Sequence, residues 1–223
     1  MEVDQIMAIH RSHAIRVACA VPLILASTCP ALAHHVMGGQ LPQTFGQGLL
    51  SGLGHPVIGV DHFAFVVALG ITAALAGRLW ALTLSFVAGT VAGCLVHLAG
   101  VTLPVAELVI AATVLLLGAI IATNRELPAL MLAILFAGAG LFHGWAYGES
   151  IFGAEQTSLI AYLAGFTLVQ LFVAVLAGLV TRGVIASDAA RRMKVRLAGA
   201  VVAGIGLALF VGHAEGVLFL GVQ

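Results

Sequence analysis

Two imidazoles and a carboxylate open the first long apolar run of this 223-residue chain, in the stretch Gly54-His55-Pro56-Val57-Ile58-Gly59-Val60-Asp61-His62. Neutral imidazole and carboxylate are ligands for first-row divalent ions such as Ni2+, Co2+, Zn2+ and Cu2+, and raw affinity does not select among these. Pro56 suits the first turn of a helix, where its missing N–H would have no partner, so a span is expected to start near it. Asp61 and His62 then lie about 8–9 Å below that start. Ionisable groups at such a depth are costly and mark functional sites. An acid near a helix start also offsets the positive end of the dipole, which would otherwise repel an entering cation. His55 and His62 are seven residues apart, sharing a face but roughly 10 Å apart along a straight helix. Either Gly54 and Gly59 bend the backbone and bring them together, or the two rings are successive stations on a path.

Other stretches carry the same donor types. Leu141-Phe142-His143-Gly144-Trp145-Ala146-Tyr147-Gly148-Glu149 ends a later apolar run; Cys94 and His97 are three apart, and His213 precedes Glu215 by two. Asp61, Glu149 and Glu215 beside several imidazoles would form an anionic mouth that concentrates cations. Each has a plainer reading: His55 as a cap, Asp61 and His62 as a hydrogen-bonded structural pair, His143 and His97 as packing residues, and Glu155 as a solvated loop acid. Four separate stretches would need that explanation at once.

The elements that must position these residues are read from composition. The chain is 61% apolar and only 8% charged, with a mean hydropathy of +1.15, far from the roughly one-quarter charged content of a soluble domain. Apolar runs at 57–77, 79–100, 103–123, 127–147, 158–180 and 197–219 are each long enough to cross about 30 Å of hydrocarbon. The expected fold is all-α: a polytopic membrane protein of six transmembrane helices. Residues 1–33 have the layout of a cleavable signal peptide, with Arg11 and Arg16, an apolar core from Val17 to Ala26 and Ala31-Leu32-Ala33 before the cut; an uncleaved seventh helix is the alternative. Residues 34–54 form a periplasmic or interfacial segment, including a short helix from about Thr44 to Leu53 ended by Gly54, and residues 55–223 form the transmembrane domain. His34 and His35 read as a tail. Arg78, Arg125, Arg182, Arg191, Arg192, Lys194 and Arg196 all fall in the first, third and fifth gaps between runs. By the positive-inside rule these gaps are cytoplasmic and both mature termini lie outside. Glycines four apart at 89 and 93, 140 and 144, and 144 and 148 imply close contact between the second and fourth runs.

The pair His55-x5-Asp61-His62 and Phe142-His143-Gly144-x-Ala146-x-Gly148-Glu149, on the first and fourth spans, resembles the HupE/UreJ family of nickel or cobalt permeases, over most of the chain from about His34. That resemblance implies uptake of Ni2+, or Co2+, across the bacterial inner membrane for maturation of hydrogenase or urease. It implies metal-handling roles for His55, Asp61, His62, His143 and Glu149. Phe63 and Phe65 stand where leucine-like residues are common in the family, and Tyr147 where a histidine is frequent. His97, His213 and Glu215 complete the candidate set from the residues themselves. The implied partners are the divalent ion and the lipid bilayer, with no organic cofactor, no nucleic acid and no ATPase domain in this chain; a homo-oligomer stays open. Transport by this chain alone would be secondary. Rival readings are a haem protein with His97 and His143 as axial ligands and a structural accessory protein. No enzyme is implied, since neither His-Glu-x-x-His nor Gly-x-Ser-x-Gly is present.

Overall fold

Thr44 begins the first helix with a reciprocal cap: its hydroxyl accepts from the Gln47 amide at 3.2 Å, and Gln47 Oε1 accepts from the Thr44 amide at 3.2 Å, satisfying two donors a helix start leaves open. The computed structural model describes residues 40–185 and 189–220. The expected signal peptide at 1–33 and the tail residues His34 and His35 lie outside the described residues. Seven helices follow in order: α1 (Phe45–Ile58), α2 (Val60–Leu75), α3 (Leu79–Leu98), α4 (Ala106–Ala122), α5 (Ala129–Glu149), α6 (Gln156–Ile185) and α7 (Ala189–Leu220). No strand occurs among the described residues.

The first span is not one straight helix starting at Pro56. Once nucleated at Thr44, α1 runs through Gly54, and Pro56 lies inside its last turn. The proline removes one i→i−4 bond, and the helix ends three residues later at Gly59, whose φ of −67° and ψ of 108° are extended. α2 restarts at once, bent by 77° from α1. The expected end at Gly54 is therefore wrong: a glycine inside a helix weakens it by only about 1 kcal/mol, less than the capped start and the packing against α6 supply.

Four helices are long and apolar enough to cross a membrane, namely Leu79–Leu98, Ala129–Glu149, Gln156–Gly183 and Arg192–Phe219, and the bent pair α1–α2 makes a fifth candidate. The chain is thus a multi-pass membrane protein. The remaining expected span, the third run at 103–123, corresponds to α4, apolar but only 17 residues long.

Glycines set which helices touch. A Cβ on Gly89 or Gly140 would run into the backbone of Ala137 or Phe86 respectively, and one on Gly144 into Thr90; α3 and α5 meet backbone to backbone, as the four-residue spacing implied. α1 lies on α6 in the same way, with Gly52 against Tyr162 and Gly165 against Leu49. The main core gathers Phe65, Leu69, Phe86, Leu117, Leu132 and Phe136, all buried. A smaller cluster of Cys94, Tyr147, Ile151, Tyr162 and Phe166 fills the space beside the histidines. At the opposite end, Thr72, Leu75, Ala76, Asn124, Arg125 and Ala129 help to line a cavity of about 300 Å³, and Arg196 Nε donates to the Ala122 carbonyl at 2.9 Å. The cationic connections thus share one end and the first histidine motif the other.

Candidate metal-handling site

The break at Gly59 decides the site. Seven residues of straight helix would hold His55 and His62 roughly 10 Å apart; across the bend their ring centroids are 5.6 Å apart. Of the two arrangements open to the sequence, the bend is the one the chain adopts. Gly59 is required there for space, since a Cβ would lie 2.8 Å from His62 Cδ2 and 3.0 Å from Asp61 Oδ1. Asp61 sits in the first turn of α2, where its Oδ1 accepts from the His62 amide at 2.8 Å. A carboxylate at a helix start is stabilised by the open amides around it.

Hydrogen bonds assign the imidazole tautomers. Thr113 Oγ1 donates to the Ile110 carbonyl at 2.7 Å, so it accepts from His143 Nε2, 3.1 Å away. His143 Nδ1 then holds a lone pair and accepts from His62 Nδ1 at 2.8 Å, which leaves the lone pair of His62 on Nε2. His55 is held through the same ring atom. Ser150 Oγ and Tyr162 Oη both donate to the Tyr147 carbonyl, at 3.0 and 2.9 Å, and His55 Nδ1 lies 3.0 and 2.9 Å from them. With Ser150 Oγ and Tyr162 Oη themselves 2.9 Å apart, the three groups and the Tyr147 carbonyl form one buried network that fixes the ring of His55 through Nδ1. Two imidazoles on either side of the bend are thus both tethered through Nδ1. Each is oriented through that nitrogen, the support that metal-binding histidines characteristically receive.

Tyr147 stands between them, its ring 5.0 Å from that of His55 and 4.5 Å from that of His62. It is fully buried and its hydroxyl has no hydrogen-bond partner. Below the histidines, Phe65 lies 4.6 Å from the His143 ring and 5.1 Å from Phe86, closing the site toward the core.

The remaining expected ligands lie elsewhere. His97 packs on Trp145 at 4.5 Å and on Phe152 at 5.7 Å. Glu149 is exposed at the end of α5. His213 Nε2 is 3.9 Å from Glu107 Oε2, joining α7 to α4, and Glu215 is exposed. Among the described residues, no group of three or more His, Cys, Asp or Glu side chains is arranged to hold a metal ion. Ser150, Tyr162 and Thr113, which orient the rings, escape sequence reasoning: hydroxyl residues are ordinary in apolar helices, where Ser and Thr bond back to their own backbone. Only the tyrosine's polar tip within an apolar run offered a signal.

The family described as HupE / UreJ protein matches residues 22–209. The chain is 32% identical over 192 residues to Protein HupE of Rhizobium leguminosarum bv. viciae, covering 85% of this chain and 95% of the relative. No solved structure matches.

Proposed function

The chain belongs to the HupE/UreJ family, and from that premise we propose that it is a secondary permease of the bacterial inner membrane. Its cargo is Ni2+, or Co2+, destined for hydrogenase or urease maturation. The observation that carries this reading is the pair His55 and His62, folded together across a broken span beside the buried carboxylate of Asp61. Broken helices at membrane depth are where transporters build ion sites, because the interrupted backbone is tolerated only inside protein. In this reading the imidazoles of His55 and His62 and the Asp61 carboxylate close on the ion as it enters. His143 orients His62, and release of the His62–His143 hydrogen bond would free a further nitrogen. α4 makes the sixth crossing, since 17 residues span about 25 Å as a helix. The cationic connections face the cytoplasm, which puts the histidines on the periplasmic side.

An inside-negative potential favours entry of a divalent cation by about 4–5 kcal/mol per 100 mV, enough to drive accumulation without a nucleotide. Both nitrogens of His143 are engaged by neighbouring side chains, which counts against its serving as a haem ligand. The test is uptake of radiolabelled Ni2+ and Co2+ into proteoliposomes under an imposed potential, with Zn2+ and Mn2+ as competitors. Uptake by the unaltered protein, lost in both Asp61→Asn and His62→Ala and kept in Glu155→Ala, is the expected result. Uptake by His62→Ala at the unaltered rate would remove the site.

A further inference from the structure

The histidine site is shut off below by Phe65 and Phe86, and α2 is apolar from Phe63 to Ile71, so a permeating ion must leave by another surface. Buried polar atoms without a partner identify one. Gln170, on α6, is only 1% exposed. Its Nε2 donates to the Phe166 carbonyl at 3.0 Å and approaches Thr90 Oγ1 at 3.5 Å. The Phe166 carbonyl fixes which end of the amide is nitrogen, and Oε1 is left buried with no partner. Thr83, on α3, is 0% exposed and its hydroxyl also has none. That is unusual within this fold. Thr72, Thr90, Thr113, Thr123 and Thr181 each donate to a carbonyl three or four residues back, whereas Thr83 leaves the same bond unmade. An orphaned acceptor in a low-dielectric interior costs about 1–3 kcal/mol, and intramembrane polar groups of this kind are kept for function.

These atoms share a seam. Gln170 meets α3 at Thr90, while α3 meets α6 again at Leu79, against which a Cβ on Gly178 would collide. Thr83 is four residues from Leu79 and seven from Thr90, so helical periodicity puts it on the face that carries both contacts. Between these contacts α6 also meets α2, the Ala174 carbonyl lying against Gly70. The upper end of the seam abuts the histidines: the Thr90 backbone lies against Gly144, next to His143, and Phe166 packs on Tyr147 at 5.3 Å.

We propose that the seam between α3 and α6 carries the inner half of the ion path, with Gln170 Oε1, Thr90 Oγ1 and Thr83 Oγ1 as neutral oxygen ligands for the divalent cation leaving the histidines. The inference rests on the transport reading above and adds to it a second station and a direction. Neutral amide and hydroxyl oxygens can replace part of the hydration shell yet hold the ion less tightly than imidazole and carboxylate, and a conducting path needs sites the ion can leave. The cavity beside Thr72, between α2, α4 and α5, is the competing exit.

Two measurements on the purified full chain separate the possibilities: radiolabelled Ni2+ uptake into proteoliposomes, and equilibrium Ni2+ binding in detergent. Gln170→Met and the near-isosteric Thr83→Val should each slow uptake at least ten-fold with the binding constant unchanged and the thermal midpoint kept or raised, since each removes an orphaned polar atom; His62→Ala should lose binding and uptake together. A purely structural role predicts the reverse pattern, a lowered midpoint with uptake per folded molecule intact. Uptake by both seam variants at the unaltered rate overturns the proposal, as does a loss seen only in Thr72→Val. Absence of uptake by the unaltered protein would instead remove the transport reading itself, and the seam with it.

Discussion

A hydroxyl determines which nitrogen of His62 carries the proton. Because Thr113 donates to the Ile110 carbonyl, it can only accept from His143, and that constraint passes through His143 Nδ1 to His62 Nδ1. Support of this kind is typically worth 10–100-fold in metal affinity. Thr113→Val, which keeps the volume and removes the acceptor, should therefore weaken Ni2+ binding by about ten-fold or more with little change in thermal stability. Calorimetric titration of the purified variant measures it, and an unchanged constant would mean that the order of protons along Thr113, His143 and His62 does not matter to the ion. The sequence displayed the imidazoles plainly, because an ionisable residue in an apolar run is rare. It did not display Thr113, Ser150 or Tyr162, because which hydroxyl reaches which ring depends on helix packing that pairs residues 30, 95 and 107 positions apart.

Helices α1 and α2 illustrate why one element was legible and another was misjudged. The glycines of α3 and α5 were readable from spacing, since a period of four on a helix is a face. The break was not, because two local signals competed. Pro56 and Gly54 both resemble boundaries, yet the actual boundary is Gly59, where the restart of α2 needs a residue without a side chain beside Asp61 and His62. The φ of −67° at Gly59 is open to any residue, so the backbone itself does not demand glycine. Gly59→Ala should then leave the fold in place and displace the His62 ring and the Asp61 carboxylate, at a cost of about 1–3 kcal/mol. The expected outcome is a folded protein, judged by size-exclusion profile and a modest drop in thermal midpoint, whose Ni2+ uptake is strongly reduced. Full uptake in this variant would show that the close approach of Asp61 and His62 is dispensable.

At the scale of the whole molecule, charge and chemistry separate to opposite ends. Arg125 lines a cavity with Thr72, Leu75 and Ala76 and Arg196 holds the Ala122 carbonyl, while His55, His62 and His143 lie beyond the aromatic floor of Phe65 and Phe86. Direction of flow follows from which end faces which compartment, and a pattern of cations predicts that only statistically. It can be measured with single cysteines placed in a chain whose Cys19, Cys29 and Cys94 have been replaced by alanine. Glu155 and Arg125 are both exposed and stand at the two ends, so neither substitution disturbs packing, and removing Arg125 leaves the other cations to hold the orientation. A membrane-impermeant maleimide applied to intact spheroplasts should label Glu155→Cys and should label Arg125→Cys only after permeabilisation. The opposite labelling would turn the histidines toward the cytoplasm. The membrane potential would then oppose departure of the ion through the Arg125 end, and the same residues would describe an exporter that needs a coupled proton to run.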